Sequence, residues 1–210
     1  MEATHFYVNG SIVPVADAKV SVLDHGFTVA DGVFETLKVY QGQAFAIELH
    51  NQRLAHSASG LGIACPSSQQ VRDAIEAVLA ANPFCELGRI RVTVSSGIGP
   101  LGSDRSPNEP TLVVTLAPQN PWPDTTSALV VNWIKNERSP LVGLKTVSYA
   151  ENVIALEHAH AAGYSEAIFF DSKGNLCEGT GSNIFLVRTQ YRPRFGNLKG
   201  HTSRAECSCW

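Results

Sequence analysis

The chain has 210 residues, 44% of them hydrophobic, enough to build a packed core in one large domain or two small ones and too many for a disordered chain. A formal net charge of −3 leaves no basic face dense enough to neutralise a nucleic-acid backbone, although a few arginines suffice for a small anionic metabolite. The opening residues carry no basic region followed by an apolar signal stretch, and no apolar run reaches about 18 residues, so a cytoplasmic protein is expected, neither secreted nor membrane-spanning.

In chain order, Phe6-Tyr7-Val8 leads into Asn9-Gly10, a strong hairpin signal, and Ser11 to Val15 can return antiparallel. Gly32 to Tyr40 is rich in β-branched and aromatic residues and turns at Gln41-Gly42-Gln43 into Ala44 to Ile47, a second predicted hairpin. From His50 the period changes: Leu54, Ser57, Ala58 and Leu61 share one helical face, with Gly62 as the C-cap. Ser67 or Ser68 caps a second helix striped by Val71, Ala74, Ile75, Val78 and Leu79, which Asn82-Pro83 stops. Arg89 to Val94 alternates as a strand, Gly97 to Pro110 is a loop, and Thr111 to Leu116 is another strand.

The proline-rich stretch Ala117 to Pro123 is the best linker in the chain. Beyond it, Ala128 to Ile134 reads as a strand, and Tyr149 to Ala162 as a helix with Val153, Ile154, Leu156 and Ala159 inward. Ser165 to Phe170, Asp171 to Asn175 and Asn183 to Val187 read as strand, turn and strand. The mixture implies an α+β fold, with an N-terminal domain over 1–118, a linker over 119–127 and a partial C-terminal domain over 128–187. Residues 188–210 carry basic side chains without amphipathic period and form an atypical tail. The five cysteines are odd in number, and Cys207 and Cys209 lack CxxC spacing, so free thiols and no metal site are expected.

Three charged residues stand in settings that suit chemistry. Lys145 lies between the apolar Val142-Gly143-Leu144 and a helix start; an amine drawn out of water loses stability as a cation and gains nucleophilicity. On its own, such a lysine is usually a solvated charge. Arg53 sits one turn into a helix, where its planar guanidinium can serve as an ordinary surface charge or clamp a phosphate. Glu178 precedes Gly179-Thr180-Gly181-Ser182, small residues that form a common turn or let backbone approach a ligand.

Taken together, His50-x-x-Arg53-Leu54, Lys145 and Glu178-Gly179-x-Gly181-x-Asn183-Ile184-Phe185 resemble, in order and approximate spacing, the class IV (fold type IV) pyridoxal 5'-phosphate (PLP) enzymes. These include branched-chain aminotransferases, D-amino acid aminotransferases and 4-amino-4-deoxychorismate lyases. Asp24-His25-Gly26-Phe27 and Asp31 to Thr36 are similar to the family's N-terminal signature, and the resemblance spans about residues 6 to 187. It implies a two-domain fold type IV enzyme with PLP as cofactor, held by Lys145 as a Schiff base. It further implies Glu178 at the pyridine nitrogen, Arg53 at the phosphate, Tyr149 at the phenolic oxygen, and Thr180 and Ser182 as additional cofactor contacts. Phe34, Arg89, Arg91 and Arg105 are the candidates for substrate contact.

The implied reaction moves an amino group from an α-amino acid to a 2-oxo acid. Two alternatives stand beside it: pyruvate-releasing lyase chemistry on 4-amino-4-deoxychorismate, and an inactive truncated family member. A homodimer is expected by the same resemblance. Beyond Phe185 the pattern departs from the family, since a Thr-Pro element and a Gly-Ile-Thr-Arg helix start are missing and Gly200 to Arg204 is only a faint echo. That departure predicts a second domain left incomplete by truncation, through a frameshift near Val187.

Overall fold

A computed structural model describes residues 2–107 and 109–186; the atypical tail, the Gly200 to Arg204 echo and the frameshift point lie outside the described residues. Among the described residues, those up to 124 and those at 140–150 form one compact unit, and residues 125–139 with 151–186 form a second.

In the first unit, β1 (His5–Val8) and β2 (Ser11–Pro14) pair around Asn9-Gly10, both at positive φ, as a two-residue hairpin turn requires. A short helix, α1 (His25–Thr28), follows, capped by the Asp24 carboxylate, which accepts the Gly26 N–H at 2.8 Å. Nothing in the hydrophobic period announces so short a helix. Strand β3 (Gly32–Tyr40) turns into a two-residue β4 (Gln43–Ala44). The predicted strand to Ile47 is cut short because Ala46 adopts the left-handed region at φ 56°, so α2 (Ile47–Leu61) starts earlier than His50.

Gly62 closes α2 in the left-handed conformation, and α3 (Ser68–Ala81) opens on a capping box between Ser67 and Gln70. With β5 (Leu87–Ser95) and β6 (Thr111–Pro118), the strands form one antiparallel sheet in the order β2-β1-β6-β5-β3-β4. Alternation puts Leu37, Val39, Ile90 and Val92 into a core with Leu54, Ala58, Ile75 and Val78 from α2 and α3. The same alternation turns Phe34, Thr36 and Lys38, with their partners Thr93, Arg91 and Arg89, to the opposite face.

In the second unit, β7 (Ala128–Lys135) runs parallel to β8 (Glu166–Asp171), which pairs antiparallel with β9 (Leu176–Gly179). The strand after the turn is therefore Leu176–Gly179, whereas Asn183 to Leu186 is irregular. The turn explains the shift: the Asp171 carboxylate accepts the Lys173 and Asn175 N–H groups, both at 2.8 Å, so the chain reverses tightly and pairs at once.

Helix α4 (Ala150–Ala161) buries Asn152, Ala155 and Ala159 against Val131, Ala167 and Phe169, and exposes Val153 and Ile154. The predicted inward stripe is thus rotated. Asn152 fixes the rotation, accepting from Lys135 Nζ at 2.8 Å and donating to the Thr180 carbonyl at 2.6 Å. Residues 140–150, read from sequence as part of the C-terminal domain, pack with the first unit.

Candidate active site

Lys145 is tied by its backbone before its side chain is considered. Its N–H donates to Oγ of Ser57, a fully buried residue on α2, at 3.0 Å, and its carbonyl accepts the Phe34 N–H at 3.0 Å. Thr146 pairs with Val33, and the Val147 N–H reaches the Gly32 carbonyl at 2.9 Å, so the segment lies like an extra strand along the start of β3. A Cβ on Gly32 would stand 2.9 Å from the Val94 carbonyl oxygen, which makes glycine the residue that lets β3 approach β5 here.

Around the Lys145 amine the first unit assembles a cationic, aromatic cluster. Lys145 Nζ lies 3.4 Å from the Tyr149 hydroxyl and 4.4 Å from the centre of the Phe34 ring. Phe34 meets Tyr149 edge-on, with ring centres 5.0 Å apart, and is 4% exposed. The Arg91 guanidinium stacks on Phe34 at 3.6 Å. Loss of hydration pulls the Arg91 pKa below its ordinary value, against an upward pull from Tyr149. No carboxylate pairs with Arg91 among the described residues; its Nε donates only to the Thr93 hydroxyl at 3.3 Å.

Arg53 feels the same tyrosine, and its pKa is raised, first by a hydrogen bond to Glu35. Glu35 is 1% exposed on the core face of β3 and takes Arg53 Nε and Nη2 at 2.5 and 2.6 Å and His50 Nδ1 at 2.7 Å. Burial works to raise the Glu35 pKa, but the bonds from Arg53 and His50 outweigh it and hold the carboxyl below the usual carboxylate range. Lys145 and Arg91 thus both lie against Phe34, with Lys145 also beside Tyr149, while Arg53 is held by the buried Glu35 on the core face of β3. Such a cluster suits a ligand bearing more than one negative group.

The remaining substrate candidates differ in their surroundings. Arg105 is held by Asp31 through Nε and Nη2 at 2.7 and 2.6 Å and also donates to the Gly62 carbonyl, so its charge is already matched. Arg89 is exposed, two positions from Arg91 on the same strand.

In the second unit, Glu178 on β9 lies 3.6 Å from Lys135, which also stacks on Phe169 at 4.5 Å. The turn after it is organised by Glu166. One carboxylate oxygen accepts both the Thr180 N–H, at 3.0 Å, and the Thr180 hydroxyl, while the other accepts the Ser182 hydroxyl at 2.7 Å. Burial again opposes the charge, and these bonds, with the Ala167 N–H, hold the Glu166 carboxyl below its ordinary range. A Cβ on Gly179 would collide with Ser182 Oγ and crowd the Glu166 carboxylate at 3.0 Å.

Sequence reasoning left several of these residues without a role. Glu35 carried a usable signal, because in Val33-Phe34-Glu35-Thr36-Leu37 it falls on the apolar side of the alternation, and a charge there calls for buried partners. Ser57 and Glu166 carried none, since each acts on a segment distant in the chain.

Three comparisons bear on this arrangement. The family described as Amino-transferase class IV matches residues 32–209. A putative branched-chain-amino-acid aminotransferase of Methanocaldococcus jannaschii is 37% identical over 187 residues, covering 87% of this chain and 65% of the relative. An aminodeoxychorismate lyase of Bacillus subtilis is 30% identical over 208 residues, covering 94% of this chain and 71% of the relative. Among solved structures, the branched-chain aminotransferase from Thermoproteus uzoniensis with norvaline matches with a TM-score of 0.79 and 26% identity, covering 86% of this chain and 64% of that one. The PLP-bound form of a hypothetical aminotransferase from Mycobacterium tuberculosis matches with a TM-score of 0.71 and 28% identity, covering 84% of this chain and 65% of that one. The chain therefore spans roughly two thirds of the length of the proteins it matches.

Proposed function

Since this chain belongs to the class IV aminotransferase family, we propose that it binds PLP through Lys145 and transfers an amino group from an α-amino acid to a 2-oxo acid. The observation that carries the reading is the Lys145 amine beside Tyr149 and Phe34, with the Arg91 guanidinium stacked on the same Phe34 ring. The donor set fits a phosphorylated aldehyde: an amine for the carbonyl carbon, a guanidinium for the phosphate, and a second guanidinium for a carboxylate.

When bound, PLP supplies an electron-withdrawing ring that stabilises negative charge at a substrate Cα. In this reading Lys145 Nζ is the group that takes a proton from that carbon and returns one. Tyr149 holds the amine in position through its hydroxyl, Arg53 binds phosphate, and Arg91 receives a substrate carboxylate. Phe34 shields the amine from water, which strengthens the surrounding electrostatics. Glu178 would keep a ring nitrogen protonated. Thr180 and Ser182 enter only through oxygen lone pairs, since both hydroxyls donate to Glu166. Arg89 and Arg105 take lesser parts in the reading, Arg105 because Asp31 and the Gly62 carbonyl together already take its Nε, Nη2 and Nη1.

The similarity to an aminodeoxychorismate lyase supports a second reading in which the same amine and proton transfer lead to release of pyruvate and 4-aminobenzoate. We also read the chain as cytoplasmic and as a homodimer. Exposed Leu23, Phe27, Ile98 and Leu101 support the homodimer, lying where Ile98 bridges to Asp24.

Titrating the full chain with PLP tests the reading. An absorbance band near the visible edge is expected, lost on borohydride treatment and missing in Lys145→Ala; a chain that never develops it contradicts the proposal. Exchange of 2-oxo acid with amino acid then separates transfer from lyase activity, which forms 4-aminobenzoate without an amino acceptor.

A further inference from the structure

We propose that Glu35 is a positioning residue for phosphate binding: it fixes the Arg53 guanidinium so that the guanidinium's free edge is presented to an incoming phosphate. This goes beyond the PLP reading but rests on it. A guanidinium carries five N–H donors, and Glu35 takes the Nε donor and one on Nη2, leaving both on Nη1 and one on Nη2. Nη1 makes no hydrogen bond among the described residues, and the Arg53 side chain is 27% exposed, so the guanidinium keeps donors to offer an anion.

The carboxylate itself cannot wander. It is 1% exposed and set on β3 between Val33 and Leu37, and His50, three residues before Arg53 on α2, holds its second oxygen. Since the carboxylate accepts, His50 carries a proton on Nδ1. A flexible side chain would lose rotamer freedom when it met a phosphate; here that freedom is removed before the ligand arrives.

A positioning role and a charge-balancing role differ in the sign of one measurement. If Glu35 only neutralised Arg53, Glu35→Gln would make the site more positive and tighten binding of an anion. If it positions Arg53, the neutral amide loses the two-point grip and phosphate binding weakens despite the added positive charge.

The experiment compares PLP with pyridoxal, which lacks the phosphate, by spectroscopic titration of the full chain. Glu35→Gln is expected to weaken PLP about ten- to a hundredfold, the scale of lost hydrogen bonds to charged groups. Pyridoxal affinity should stay within about twofold of wild type on the same scale, and Glu35→Gln should add nothing in an Arg53→Gln background. Equal loss of both ligands, unchanged binding or tighter PLP binding each overturns the proposal. If Glu35→Gln does not fold, as judged by far-UV circular dichroism, Glu35→Asp serves: it keeps the charge, shortens the reach, and is expected to give a smaller loss confined to PLP. A wild-type chain that binds neither ligand overturns the PLP reading and this inference together, whereas normal wild-type binding with no selective loss overturns this inference alone.

Discussion

Glu35 shows how one side chain can be structurally expensive and still be retained. A charge on the core face of a strand costs several kcal/mol unless it is fully paired, and here Arg53 and His50 supply the pairing. Because the folded-state pKa of Glu35 is depressed, its contribution to stability is present above the unfolded carboxyl value, about 4.3, and is lost as pH falls through the folded value. Urea midpoints are therefore expected to drop as the pH is lowered through and below that region, with a shallower drop in Glu35→Gln. Identical pH profiles for the two proteins would show that the ion pair contributes nothing. The residue was legible in the alternation of β3, but its partners were not, because they come from a helix whose facing depends on packing.

At the scale of elements, the Lys145 segment owes its place to β3. Three backbone contacts, at Gly32, Val33 and Phe34, lay it along the strand, and Ser57 on α2 fixes the residue itself. Gly32→Ala places a methyl group against the Val94 carbonyl and the Ser95 Cα, backbone atoms that cannot rotate away. A loss of about 1–3 kcal/mol is expected from such overpacking, read by urea denaturation, together with weaker PLP binding; an alanine variant as stable as wild type would show that β3 and β5 can spread at no cost. Helices α2 and α3 follow the predicted periodicity closely, with Ser67 and Gly62 as their caps. Helix α4 does not, because its rotation is set by the two hydrogen bonds of Asn152, one accepted from Lys135 and one donated to Thr180, and not by the larger apolar stripe.

For the molecule as a whole, the chain leaves the first unit after residue 124, builds β7 of the second, and returns to the first at 140–150 with Lys145 and Tyr149 before re-entering the second. A linear division at the proline-rich linker misses that return. The first unit also carries exposed apolar side chains around α1 and the loop after β5, including Phe27 at 73% and Leu101 at 83% exposure. Size-exclusion chromatography is expected to show a dimer that Phe27→Glu combined with Leu101→Glu converts to monomer. A monomeric wild-type chain would remove the basis for a homodimer.

By itself the sequence determined the α+β class and the family, and it singled out Lys145 as the candidate amine, because hydrophobic period, turn residues and short motifs are local and survive in one dimension. It also placed Phe34, Arg53, Arg91 and Tyr149 among the candidates. Tertiary structure alone decided which candidate arginines are already held by a carboxylate, since Asp31 meets Arg105 and Glu35 meets Arg53 across 74 and 18 positions of chain. Pairings at that separation follow from how strands and helices pack, and no local pattern encodes them.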